Sequence, residues 1–189
     1  MSLCIVLVKH AQPVLDPSVP PREWRLADEG EAQARRLANF LQRFVPLELV
    51  CSPEPKATRT CEIVASELDA PFTVVQGLRE FDRPVLPVMT ADEHERVNAA
   101  LFREFDRRVI GEESAAEALD RFSKALLGQL ERAGDANLVV ISHGTVISLL
   151  VGAHNEVDAF ELWRRLRCPA AVVLAFPSLE LVEVVEQVA

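Results

Sequence analysis

Leu3-Cys4-Ile5-Val6-Leu7-Val8-Lys9-His10 decides the fold: an unbroken apolar run that stops at a lysine and a histidine. A strand covered on one face alternates apolar and polar residues, whereas one covered on both faces is apolar throughout. The stretch is therefore expected inside a sheet, with Lys9-His10 at its carboxyl end. The pattern returns at Leu138 to Ile141, which runs into Ser142-His143-Gly144. In open α/β sheets ligands bind beyond the carboxyl ends of the strands. Both histidines thus fall on the functional edge, side by side if their strands are neighbours.

Outward from these two strands, helices and strands alternate. Residues 11–27 carry four prolines and read as a long loop. Ala34, Leu37, Ala38, Leu41 and Phe44 recur at helical spacing, predicting a helix from Asp28 to Phe44. Leu47 to Cys51 is a short strand broken by Ser52-Pro53. Ala57, Thr60, Cys61, Val64, Ala65 and Leu68 form one stripe of a helix whose first turn holds Lys56. Phe72 to Val75 reads as a strand and Gln76 to Pro87 as a turn. Two helices are expected over about 91–110 and 114–133, the second opened by Ser114 and Glu117 at capping-box spacing. A helix over Thr145 to Val151, another over Val157 to Leu166, and strands near 171–176 and 180–186 complete the chain. This order predicts an α/β fold, a three-layer α/β/α sandwich with a mostly parallel central sheet, as a single domain over 1–189.

The composition narrows the function classes. The 189 residues carry a formal net charge of −9 and no tyrosine. Nucleic-acid binding draws on basic residues and stacking aromatics, so a nucleic-acid partner is not expected. A local positive pocket in an acidic shell would still attract a small anion. The apolar run at the start of the chain is too short to span a bilayer and lacks a signal-peptide cleavage pattern. No membrane association and a cytoplasmic location are expected. Cys4, Cys51, Cys61 and Cys168 form no CxxC and read as reduced, mostly buried small hydrophobes. The four histidines show no metal-ligand spacing, so neither a metal nor another cofactor is expected.

Several segments together resemble the histidine phosphatase superfamily, of phosphoglycerate-mutase-like fold. Val8-Lys9-His10-Ala11-Gln12 is similar to its Arg-His-Gly opening, and Leu26 to Ala34 to its Leu-Thr-x-x-Gly-x-x-Gln-Ala helix start. Cys51-Ser52-Pro53 with Lys56-Ala57-Thr58-Arg59-Thr60 resembles Ser-Pro-x-x-Arg-Ala-x-x-Thr. Leu78-Arg79-Glu80 is similar to the Leu-x-Glu that carries an acid, Glu113-Ser114 with Arg121 to another recurring segment, and Ser142-His143-Gly144 to the second histidine motif. Lysines 9 and 56 stand where the family pattern has arginines, and Ala11 where it has glycine.

The resemblance implies a phosphatase that hydrolyses a small phosphomonoester through a phosphohistidine. His10 would attack phosphorus, His143 would donate to the phosphoryl oxygens, and Lys9 and Lys56 would bind them. Glu80 would protonate the leaving oxygen, with Asp82 the second choice. An attacking imidazole nitrogen must be free of its proton, so its other nitrogen needs an acceptor such as a carbonyl. The lysines keep charge but lose the planar fork that grips two oxygens. That loss motivates the alternative of a non-catalytic module that binds a phosphorylated ligand. A phosphoglycerate-type mutase is the weaker alternative, because no basic insertion provides for a second phosphate and a carboxylate. Gln12 either touches phosphate or caps the loop, and Arg59 reads as solvated. His94 and His154 read as surface residues. Residues 11–25, with Arg22, Trp24 and Arg25, and residues 82–100 are expected to form the walls that select substrate. A homodimer is compatible with the sequence, which assigns no residues to it.

Overall fold

The computed structural model of the protein describes residues 3–85 and 90–188, apart from the side chains of Ala91 and His94. Strands β1 (Cys4–Lys9), β2 (Leu47–Cys51), β3 (Phe72–Val74), β4 (Asn137–Ser142), β5 (Ala170–Ala175) and β6 (Leu181–Val185) form one sheet in the order β3-β2-β4-β1-β5-β6. The pairings β3–β2, β2–β4 and β4–β1 are parallel, and β1–β5 and β5–β6 antiparallel. Helices α1 (Asp28–Leu41), α2 (Pro55–Leu68), α3 (Ala91–Arg103), α4 (Ala115–Ala133), α5 (Gly144–His154) and α6 (Ala159–Arg165) cover it. The α/β fold with a mostly parallel sheet is as expected.

The continuous apolar runs of β1 and β4 serve both faces at once. Ile5 and Leu7 pack with Val140, Phe122, Ile147 and Leu150 on one side. Val6 and Val8 pack with Val139, Ile141, Leu37 and Val64 on the other. Alternate side chains of a strand point to opposite faces, so every position in these two central strands meets a covering helix. Helix α5 is apolar all round, and Gly144 to Val151 are all buried, as a helix inside a core should be.

Two element boundaries differ from the sequence reading. The helix expected to reach residue 110 ends at Arg103: Glu104 leaves helical geometry at φ −98° and ψ 58°. The chain then turns, and the Phe105 carbonyl accepts the N–H of Ala116 next to the start of α4. The last turn expected for α1 tightens into a 3₁₀ turn over Gln42–Phe44. The α4 capping box is present, Ser114 accepting from the Glu117 N–H and Glu117 from the Ser114 N–H. All four cysteines are free, Cys51 and Cys61 buried and Cys4 and Cys168 half-buried. His154 is exposed, whereas the side chain of His94 and residues 86–89 of the expected second wall lie outside the described residues. Among the described residues, no helix is long and apolar enough to cross a membrane.

Candidate active site

Strands β1 and β4 are neighbours, with Lys9 opposite Ser142. The chain leaves both at the same level, and the His10 N–H donates to the Ser142 carbonyl at 3.0 Å. The His10 and His143 rings lie 5.2 Å apart between centroids, inclined at 65°. Both are buried. Two parallel strands carrying the same motif at their ends thus place two imidazoles edge to face.

The state of His10 follows from its partner. Nδ1 lies 2.7 Å from the Ala11 carbonyl. A carbonyl only accepts, so Nδ1 carries the proton. Burial, reinforced by the neighbouring His143 and the Lys56 charge, holds the pKa of His10 well below its ordinary value. The ring is therefore neutral near pH 7, and Nε2 keeps its lone pair. The Ala11 carbonyl is itself fixed. The Ala11 N–H donates to Thr60 Oγ1 at 3.2 Å, and the Gln12 N–H to Gln33 Oε1 at 2.9 Å. Gly30 lets α1 approach this loop, because a Cβ there would stand 2.2 Å from the Gln12 carbonyl. Gln12 acts within the loop: among the described residues its side-chain amide donates to the Pro13 carbonyl, at 3.4 Å.

His143 is held differently. Its Nε2 lies 2.7 Å from Ser52 Oγ, and that hydroxyl accepts the Glu54 N–H at 3.2 Å. The contact serves either tautomer of the ring, because the hydroxyl can donate to Nε2 or accept from it on its second lone pair. That buried Nδ1 has no hydrogen-bond partner among the described residues, so it is the ring nitrogen open to a ligand. Burial, followed by the positive charge of Lys56, pushes the His143 pKa down to about 3, against an opposing pull from Glu80.

Both lysines are at the site, each already engaged. Lys9 Nζ donates to the Leu166 carbonyl at 2.7 Å, with its stem and ammonium over Gly144, where a Cβ would come within 3.4 Å of Cε. Lys56, in the first turn of α2 and buried, donates to the Pro21 carbonyl at 2.7 Å and to Glu54 Oε2 at 2.5 Å. The buried Glu54 also accepts the Glu80 N–H through Oε1 at 2.7 Å and stands 3.6 Å from His143 Nε2.

Glu80 caps the helix that follows His143. Its carboxylate accepts the N–H groups of Phe81 at 2.8 Å, Thr145 at 3.2 Å and Val146 at 3.3 Å. A helix N-terminus offers such unpaired donors and favours negative charge. The segment carrying Glu80 is braced from α4. Arg121 donates to the carbonyls of Gly77, Arg79 and Glu80, and with Arg79 it grips the Glu113 carboxylate. Burial pushes the Glu113 pKa up, but the hydrogen bonds from Arg121 and Arg79 outweigh it, and the net shift is downward.

Beside the histidines lies a cavity of about 280 Å³, bordered by Pro21, Arg22, Pro53, Arg79, Asp82 and Arg83 and sharing Glu54 and Glu80 with the histidine site. The histidines themselves do not line it. Asp82 is bound by Arg22 at 3.3 Å on its rim. Arg83 donates to Thr145 Oγ1 at 2.9 Å, and its buried Nε has no partner among the described residues. Trp24 packs its indole N–H on the Asp16 carbonyl. Arg59 is exposed and paired with Glu31 and Glu62, away from the site, as its solvated reading predicts. Ser52 and Glu54 are the site residues that sequence reasoning missed, and Arg83 lies in the wall expected over residues 82–100. Glu54 had one available signal, a carboxylate two residues before the candidate lysine.

Residues 5–176 match the family model of the histidine phosphatase superfamily, branch 1. A probable phosphoglycerate mutase GpmB of Salmonella paratyphi A is 29% identical over 147 residues, covering 75% of this chain and 68% of that protein. Among solved structures, a mycobacterial glucosyl-3-phosphoglycerate phosphatase superposes with a TM-score of 0.74 at 20% identity, over 99% of this chain and 100% of that one. A phosphoserine phosphatase mutant of Entamoeba histolytica, in complex with phosphoserine, gives a TM-score of 0.76 at 16% identity over 96% of each chain.

Proposed function

The chain belongs to the histidine phosphatase superfamily, and on that premise we propose that it is a phosphatase that hydrolyses a small phosphomonoester through a phosphohistidine at His10. One observation carries the reading. His10 is a neutral imidazole whose proton is fixed on Nδ1 by the Ala11 carbonyl, leaving Nε2 as a nucleophile next to a second neutral imidazole. In the first step the Nε2 lone pair forms a bond to phosphorus as the bond from phosphorus to the alcohol oxygen breaks. The departing oxygen takes a proton from Glu80, which must first be protonated against the three N–H groups that hold its carboxylate in the free protein, with Asp82 as the second carboxyl group on the rim. His143, donating through Nδ1, meets the charge that gathers on the equatorial oxygens, and Lys9 and Lys56 add theirs. Water, activated by the now ionised carboxylate, then cleaves the phosphorus–nitrogen bond. The scheme draws on side chains and water and calls for no metal or cofactor. A cavity of about 280 Å³ is small for a ligand pocket and suits a compact alcohol moiety.

The Glu54–Lys56 pair favours a second reading, a module that binds a phosphorylated ligand without turnover, since one of its two lysines is already neutralised. Hydrolysis of p-nitrophenyl phosphate across pH 5 to 8, with chelator, separates the two. The phosphatase reading expects turnover by the wild type, insensitive to chelator and abolished in His10→Ala with folding intact. Equal turnover in His10→Ala contradicts it. Binding of inorganic phosphate by a wild type that hydrolyses no phosphomonoester in a broad screen selects the module instead.

A further inference from the structure

We propose that Glu54 sets how tightly this site holds an oxyanion: its carboxylate neutralises the Lys56 ammonium in the free protein and competes for it with a bound phosphoryl group. The inference rests on reading the histidine pair as a phosphoryl site. Residues two apart on a helix do not face each other, yet here they meet. Glu54 precedes α2 in extended geometry, φ −71° and ψ 136°, with Pro55 opening the helix behind it. Its side chain is thereby free to fold back onto Lys56, 2.5 Å away, in a pocket that buries both.

The same carboxylate lies 3.6 Å from Nε2 of His143, the ring expected to donate to phosphoryl oxygens. A phosphate drawn to Lys56 therefore meets the carboxylate that already pairs with that ammonium, 2.5 Å away. Like charges in a water-poor site repel far more than they do in solvent. Glu54 also does structural work, because a buried ammonium left alone is heavily penalised. In addition to that role, its Oε1 anchors the Glu80 N–H. The carboxylate thus neutralises the ammonium in the absence of ligand, and an incoming oxyanion competes with it for Lys56.

Glu54→Gln removes the charge and keeps an amide oxygen for the Glu80 N–H. The empty variant then holds Lys56 without its counter-charge and loses thermal stability, and phosphate restores the pairing. Isothermal titration with inorganic phosphate and thermal melts with and without it read both effects. The expected result is phosphate binding about ten- to a hundredfold tighter than in wild type. A larger phosphate-induced rise in melting temperature accompanies it, and both gains disappear in the Glu54→Gln/Lys56→Gln double variant. Unchanged or weaker phosphate binding in a folded Glu54→Gln overturns the proposal. Should that variant not fold, Glu54→Asp withdraws the carboxylate by one methylene: tighter binding supports the proposal, and unchanged or weaker binding overturns it. His143→Ala separates the two levels of the argument. Phosphate binding that His143→Ala leaves untouched contradicts the phosphoryl site itself, whereas binding that His143→Ala abolishes but Glu54→Gln does not tighten contradicts only the role of Glu54.

Discussion

At the scale of single residues, the site depends on two imidazoles kept neutral and each anchored through one ring nitrogen. The Ala11 carbonyl does this for His10, and the Ser52 hydroxyl does it for His143. Ser52→Ala should lower kcat by about a hundredfold, the usual loss when a transition-state donor is no longer aimed, while leaving the melting temperature within a few degrees. Steady-state rates with p-nitrophenyl phosphate check this. Burial also makes stability depend on pH. His143 titrates at about 3 in the folded protein but near 6.5 when unfolded. Between these values the unfolded chain binds a proton that the folded chain refuses, so stability is full above pH 6.5 and falls as the pH drops. The slope attributable to one such histidine is about 1.4 kcal/mol per pH unit. Urea midpoints at pH 7 and pH 5 should therefore converge more closely in His143→Gln than in wild type. His10 and His143 were legible in the sequence because each ends an apolar strand. Ser52 was not, because its role arises from a contact between the segments that follow β2 and β4, and Glu54 left only its position two residues before Lys56.

At the scale of elements, local signals were reliable where a boundary is chemical and weaker where it is geometric. The Ser114–Glu117 capping box fixed the start of α4, and the stripe from Ala57 to Leu68 gave α2 within a residue or two. The end of α3 carries no such mark, and Glu104 leaves the helix without a glycine or proline to announce it. Most consequential is the brace between α4 and the segment from Gly77 to Glu80. Glu113 lies within hydrogen-bond reach of both Arg79 and Arg121, and Arg121 donates to three carbonyls of that segment. Glu113→Ala strands the mostly buried Arg121 beside the carbonyls it was holding. A loss of about 3 kcal/mol in unfolding free energy is expected, together with a fall in kcat, since Glu80 loses its fixed position. A variant that keeps full kcat would show that the brace serves stability alone.

At the scale of the whole molecule, the strand order β3-β2-β4-β1-β5-β6 accounts for the site. The first strand in sequence lies at the centre of the sheet beside the fourth, so two segments more than a hundred residues apart deliver their histidines to one point. Alternation of strands and helices implied such a sheet, but only the order of the strands makes the histidines adjacent, and strand order is set by long-range pairing. The formal charge of −9 surrounds a site where two lysines stand beside the carboxylates of Glu54 and Glu80, so a small anion is held by short-range contacts and not by the field of the whole molecule. The central claim is that this place forms a covalent bond to phosphorus through His10. Rapid acid-free quenching of wild type with p-nitrophenyl phosphate, followed by phosphorus NMR and peptide mass mapping, tests it directly. The account predicts one phosphoryl group per chain on a histidine nitrogen of the peptide holding His10, formed as fast as turnover and missing in His10→Ala. Turnover with no phosphoryl group on His10, or with the group on another residue, would contradict it.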